Sequence, residues 1–177
     1  MRIGIAFTLC ALLVGAASCS SGSDSSGGTC TPKPLINGDF EGYPSWTEYS
    51  FTGTAIPGSP HTSGPRRVYL NHKPPHGSTS FPVGTIIVKE IGAPPSSQDT
   101  VFAMVKVGCD YNSDGAVGWE WAELNVDPTG AVGITWSGSE PPPGQSYSGD
   151  PTACNTCHAM AKDNDYVQSS VLLLSSF

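Results

Sequence analysis

The chain is poor in charge. Only 13% of its 177 residues are charged, and eight lysines and arginines stand against fifteen aspartates and glutamates. The net charge of -7 leaves no basic surface of the kind a nucleic-acid partner requires. Low charge combined with 21 glycines and 16 prolines disfavours a helix bundle and favours a loop-rich β or α+β domain. No internal repeat is visible. The apolar run Ile3 to Val14 is too short to span a bilayer. Cysteine is scarce, with six in all, and a second C-x-x-C that might complete a zinc site is missing.

The N-terminus reads as an export signal: Arg2, the apolar run, then the small residues Gly15-Ala16-Ala17-Ser18. Cys19 follows at once. This resembles a bacterial lipoprotein signal, in which that cysteine is lipidated and becomes the mature N-terminus. Ala16 stands where leucine is usual, and an ordinary cleaved signal with an incidental cysteine is the alternative. The organisation expected is a signal over 1–18, a Ser/Gly-rich tether over 19–31 and one domain over 32–177. It implies an exported protein, periplasmic or at the cell surface, touching a membrane only through lipid.

The stretch Cys154-Asn155-Thr156-Cys157-His158 reads as C-x-x-C-H, the attachment signature of a covalent c-type haem. Cysteines three apart lie on one face of a helical turn, which suits two thioether bonds to one porphyrin. His158 can then turn its imidazole to the iron as proximal ligand. Asp150-Pro151 upstream makes a good N-cap followed by proline, so a short helix is expected from Pro151 to about Lys162. The competing readings are a thiol–disulfide site, which usually sits in a βαβ setting, or a plain disulfide. With Cys10 lost in the signal, Cys30 and Cys109 remain. Two leftover cysteines in an oxidising compartment more often pair than stay free; two buried thiols are the alternative.

Between tether and motif, alternation marks strands. Arg67 to Asn71, Thr85 to Glu90, Thr100 to Val107, Trp119 to Val126 and Ala131 to Trp136 are expected to form them. The aromatic-dotted segment Pro32 to Gly64 has weak periodicity and reads as irregular packing, with at most a short strand or helical turn near Trp46. Asp127-Pro128-Thr129-Gly130 is a strong turn. The fold class expected is α+β, mainly antiparallel: a meander of about five strands with a C-terminal haem-bearing helix. The apolar tail Tyr166 to Phe177 is placed against the sheet. Arg66, Val68 and Leu70 share one strand face, as do Thr85, Ile87 and Lys89, and as do Trp119 and Trp121. His61, His72 and His76, among prolines, read as surface loop histidines. Asp110 to Gly115 nearly matches the first half of a calcium loop, but Trp121 occupies the twelfth position, so a hairpin turn is the better account. Met104 is either core packing or a sixth iron ligand.

The blocks RRVYLN, FPVGTIIVKE, FAMVK, GWEWAEL and CNTCHAMAKDNDYV, in this order, resemble the cytochrome P460 family. That family includes hydroxylamine-oxidising cytochromes and the gas-binding cytochromes c′-β. The resemblance runs from about Arg66 to the C-terminus, and more weakly around Trp46. It implies one covalent c-type haem per chain, attached through Cys154 and Cys157 with five-coordinate iron held by His158, and commonly a homodimer. It further implies that Lys89 matches the lysine cross-linked to the porphyrin edge in the oxidising members, and Arg66 a distal-side arginine. The function implied is oxidation of hydroxylamine or a related nitrogen oxide, with a periplasmic electron acceptor. The alternatives are a non-catalytic binder of nitric oxide or carbon monoxide, or an electron carrier. The chain departs from the oxidases on its third strand, where their distal carboxylate is replaced by Lys106. Glu90 and Glu123 are the remaining acidic candidates for proton transfer.

Overall fold

The computed structural model describes residues 30–55, 61–92, 100–149 and 153–177. The signal, Cys19 and most of the tether lie outside the described residues, as do Asp150 and Pro151.

Six strands form one antiparallel meander: β1 (Thr47–Gly53), β2 (Gly64–Leu70), β3 (Ile86–Ile91), β4 (Thr100–Lys106), β5 (Trp119–Val126) and β6 (Val132–Gly138). Each strand pairs with its sequence neighbour. The expected count of about five falls one short. The addition is β1, an edge strand whose outward positions are polar and exposed. Its register places Tyr49 opposite Val68 and Phe51 opposite Arg66. Its inward residues Tyr49 and Phe51 alternate with exposed polar ones, but two apolar positions are too few to mark a strand within a Gly-, Pro-, Ser- and Thr-rich segment.

Both faces of the sheet are covered, so the strands sort their side chains by parity. On one face Phe40, Tyr43, Tyr69, Val88, Ala103 and Leu124 pack together. The N-terminal segment lies over them through two 3-10 turns, Asn37–Phe40 and Tyr43–Ser45. Glu90 is buried on this face. It accepts from the Tyr43 hydroxyl at 2.6 Å and the Tyr69 hydroxyl at 3.2 Å, and pairs with Arg67 at 2.7 Å. On the other face Val68, Ile87, Met104, Trp119, Trp121 and Trp136 meet Val167, Leu172 and Leu174 of the tail. Asn164 ties that tail into a compact unit. Its amide donates to the Val167 and Leu172 carbonyls, and its oxygen accepts from Leu174 N–H at 2.8 Å.

Helix α1 (Cys154–His158) is a single turn capped at Ala153, and it runs on as a 3-10 helix over Ala159–Asn164. Asn155, the second residue of the motif, anchors it. The Asn155 oxygen accepts from Asn112 Nδ2 at 2.8 Å, Ala116 N–H at 3.1 Å and Trp121 Nε1 at 3.1 Å. Its amide donates to Asn112 Oδ1 and to the Ser139 carbonyl, both at 3.0 Å. The loop that looked half like a calcium loop therefore spends its Asn112 side chain on α1. Three residues of that loop, Cys109, Asp110 and Asn112, adopt left-handed backbone. A cysteine pair, Cys30–Cys109, closes 79 residues of chain and staples the domain's start to this loop.

Two outcomes follow from these tethers. Replacing Cys30 and Cys109 together by serine lowers the unfolding free energy by about 2–5 kcal/mol, read by urea denaturation, because a long loop is freed in the unfolded chain. A Cβ at Gly115 would lie 2.2 Å from Asn155 Cγ. Gly115→Ala must therefore push Asn155 off its partners, and costs about 1–3 kcal/mol in the same measurement.

Candidate functional site

The tail and the Val68–Trp121 face of the sheet bound a cleft that opens in part to solvent. Its walls are apolar: Val68, Ile87, Met104, Trp121, Trp136 and Leu172. Into it project Cys154, Cys157, His158, Lys89 and His61. A contiguous, more open part shares Gln168 and Ser169 with it and adds Arg66, Asn164 and Ser170.

The three motif residues come from one helical turn and reach the same cavity. Cys154 and Cys157 carry free thiols, Cys157 being buried. Burial, with Glu140 nearby, pushes the Cys154 thiol up to about 12, so it stands protonated in an apolar wall. His158 Nδ1 lies 2.7 Å from the Tyr166 carbonyl. A carbonyl can only accept, so Nδ1 carries the proton and Nε2 keeps its lone pair for a metal. Burial pushes this imidazole down to about 4 against the opposing Tyr166 bond, with Lys89 adding to the depression, and keeps it neutral. The ring leans on Trp121, with centroids 4.6 Å apart. Two free thiols and a neutral, oriented imidazole on one wall of a large apolar cleft fit a covalently attached haem. No group of three or more His, Cys, Asp or Glu side chains able to hold a metal ion by themselves occurs among the described residues.

Lys89 comes from β3 and faces the same cleft. Burial, then Arg66, pushes its amine down to about 8, with Cys157 opposing. A buried lysine of that kind is neutral in about a tenth of molecules near pH 7, far more than a solvated lysine, and so can act as a nucleophile. Arg66 also faces this side, whereas Arg67 pairs with Glu90 on the other. The Arg66 Nη2 donates to the carbonyls of Thr54 at 2.7 Å and Thr62 at 2.9 Å. It thus ties together the two ends of the β1–β2 connection. Its cation sits over the Phe51 ring, and a Cβ at Gly53 would collide with it.

That clamp holds the loop of a residue that no periodic signal marks. His61, read as a surface loop histidine, lines both parts of the cleft. Its ring meets Phe102 edge-on at 5.4 Å. Burial first, then Lys89, His158 and Arg66, push it down to about 2, so it is neutral. No periodic signal marks it, because it enters from a loop that Arg66 folds back. His72 is exposed with its ring 3.4 Å from the Thr85 hydroxyl, just before β3, and His76 is exposed.

The acidic candidates separate. Glu90 is on the far face. Glu123 shares the cleft's side of β5. Its carboxylate accepts from Trp136 Nε1 at 2.9 Å and from the Tyr147 hydroxyl, and the Tyr147 ring meets Phe102, a residue of the cleft wall, edge-on at 5.8 Å. Lys106, at the position where a distal carboxylate was expected, points instead to Asp165 at 2.7 Å. Met104 is buried among the wall residues, opposite Ile87 and Trp121 in the register.

A comparison with curated proteins and one with solved structures gave no match. The model of one family, described as Cytochrome P460, matches residues 41–169. That span carries all six strands and the Cys154–His158 turn, so the chain belongs to the cytochrome P460 family.

Proposed function

We propose that this protein is an exported c-type haem protein acting on hydroxylamine or a related nitrogen oxide. One observation carries the reading: the amine of Lys89 projects into the same cleft as Cys154, Cys157 and His158. When bound, the haem supplies an iron with a ligand position for a small nitrogen oxide and a path for electrons to a periplasmic acceptor. Everything else is the work of the chain. Cys154 and Cys157 hold the group covalently. His158 offers Nε2 to the iron, fixed in orientation by Tyr166 and Trp121. Lys89, neutral in part, is placed to bond the macrocycle edge and so to tune it. The apolar walls exclude water. His61, a neutral imidazole held in place through the Arg66 clamp on its loop, is placed to hydrogen-bond a small ligand. The lipid anchor on Cys19 and a homodimer are parts of the same proposal. Pairing of Cys30 with Cys109 supports an oxidising compartment.

A second reading is favoured by a different observation. Among the described residues that line the cleft none is a carboxylate. Oxidation of hydroxylamine releases protons, and His61 is too weak a base to take them at neutral pH. That favours a protein that captures nitric oxide or carbon monoxide without turnover.

The ferrous absorption spectrum of the purified holoprotein, with its turnover of hydroxylamine in the presence of an electron acceptor, separates the two. A strongly red-shifted Soret band lost in Lys89→Ala, together with turnover, is the expected result. An ordinary five-coordinate spectrum with fast nitric oxide uptake and no turnover replaces the enzyme by the binder. A colourless protein made with intact cytochrome-maturation machinery overturns both.

Lys89 also makes a prediction on stability. Its folded pKa of about 8 lies below the ordinary lysine value of 10.5, so the unfolded chain binds the extra proton between those values. In haem-free protein, Lys89 makes stability rise as pH climbs from about 8 towards 10.5. Cys154 and several tyrosines act in the opposite sense, because burial raises them. The contribution is therefore read as the difference in urea midpoint between wild type and Lys89→Met. That difference should move in favour of wild type as the pH rises through this window. A constant difference rules out the buried-amine account.

A further inference from the structure

We propose that Lys106 and Asp165 are positioning residues for His158: their buried ion pair fixes the turn that aims the Tyr166 carbonyl at the imidazole. The inference rests on His158 being the iron ligand, as proposed above.

Asp165 and Tyr166 both adopt left-handed backbone, with φ of 51° and 65°. Two consecutive non-glycine residues there persist only where the surroundings over-determine them. Here they do. Asp165 Oδ1 accepts a hydrogen bond from Lys106 Nζ at 2.7 Å, and Oδ2 one from Phe81 N–H at 2.9 Å. The Asp165 carbonyl accepts from Trp119 Nε1 at 2.8 Å. The N–H groups of Asp165 and Tyr166 close back onto the Lys162 and Ala161 carbonyls. Lys106 is held in turn by the Val117 carbonyl at 3.1 Å and by the Trp119 ring at 5.0 Å. The turn is therefore bolted to β4, to β5 and to the segment before β3. Its next polar group, the Tyr166 carbonyl, is the acceptor for His158 Nδ1 at 2.7 Å.

The side chains of the pair are only 12% and 9% exposed. A buried ion pair adds little net stability over an apolar pair of the same volume. Its value here is geometric. A bound ligand histidine whose other nitrogen donates to a fixed acceptor is held in one tautomer and one orientation, and is more basic towards the metal. Sequence reasoning saw in Lys106 only a missing distal carboxylate. The structure assigns it to the opposite task, behind the proximal histidine.

The test uses purified holoprotein and two readouts other than turnover: the iron–histidine stretching frequency of the ferrous protein by resonance Raman, and the midpoint potential. Asp165→Asn keeps the shape and tolerates the left-handed backbone but removes the charge. Lys106→Gln removes the charge from the other side and supplies the same readings should Asp165→Asn not fold. Tyr43→Phe, which deletes a buried hydrogen bond on the far face, is the control for general loosening. Both site variants should lower the stretching frequency and raise the potential, while Tyr43→Phe loses stability and moves neither. If wild type shows the iron–histidine band and the site variants leave both readings at its values, this inference fails alone. It fails equally if Tyr43→Phe shifts them as far. A wild type with no such band overturns the assignment of His158 as ligand, and this inference with it.

Discussion

Side chains on a strand point alternately to opposite sides, and in this sheet both sides are buried. That single constraint divides the protein's chemistry. Arg66, Lys89 and Trp121 are committed to one face, and Arg67, Tyr69 and Glu90 to the other. A slip of one residue in β3 would exchange Lys89 with Glu90. It would put a carboxylate in the cleft and strand an amine among Tyr43 and Tyr69. The far-face cluster around Glu90 resists such a slip, because its carboxylate satisfies two hydroxyls and a guanidinium there.

The cleft is built from groups that apolar burial would ordinarily reject. Lys89, His61 and His158 are all pushed towards their neutral forms, chiefly by loss of solvent. Their mutual proximity adds to the effect, since each protonated group raises the cost of protonating the next. What results is a pocket with two neutral imidazoles and, from Arg66 and the mostly protonated Lys89, positive charge with no lining carboxylate among the described residues to offset it. The strain is distributed into the loops. Left-handed residues at Cys109, Asp110 and Asn112 and at Asp165 and Tyr166 hold the two walls behind the motif. Each set is secured by side chains from a distant part of the chain: Asn155 for the first, Lys106 and Trp119 for the second.

Much of this was legible beforehand. The strands β2 to β6 follow from alternation, and β1 does not, because Tyr49 and Phe51 alone are too few apolar positions to mark it. The C-x-x-C-H turn is local, since i and i+3 on a helix are neighbours wherever the helix lies. The helix expected to end near Lys162 is α-helical only to His158 and continues as 3-10 helix to Asn164, while its expected start at Pro151 lies outside the described residues. His61 was misjudged, because a loop residue's neighbours depend on where the loop is folded, and here Arg66 decides that through the Thr54 and Thr62 carbonyls.

By itself the sequence determined what depends on neighbours a few residues apart: strand parity, the Asp127–Gly130 turn, and two thiols with an imidazole on one turn. Tertiary structure decided which groups from distant segments meet. It placed Glu90 away from the cleft and Glu123 beside Tyr147. It turned Lys106 to Asp165, and it brought a loop histidine in beside Lys89. The physical reason is range. Backbone geometry propagates a side chain's direction over one element, whereas a hydrogen bond or ion pair between segments forms only after the sheet has brought them within about 3 Å.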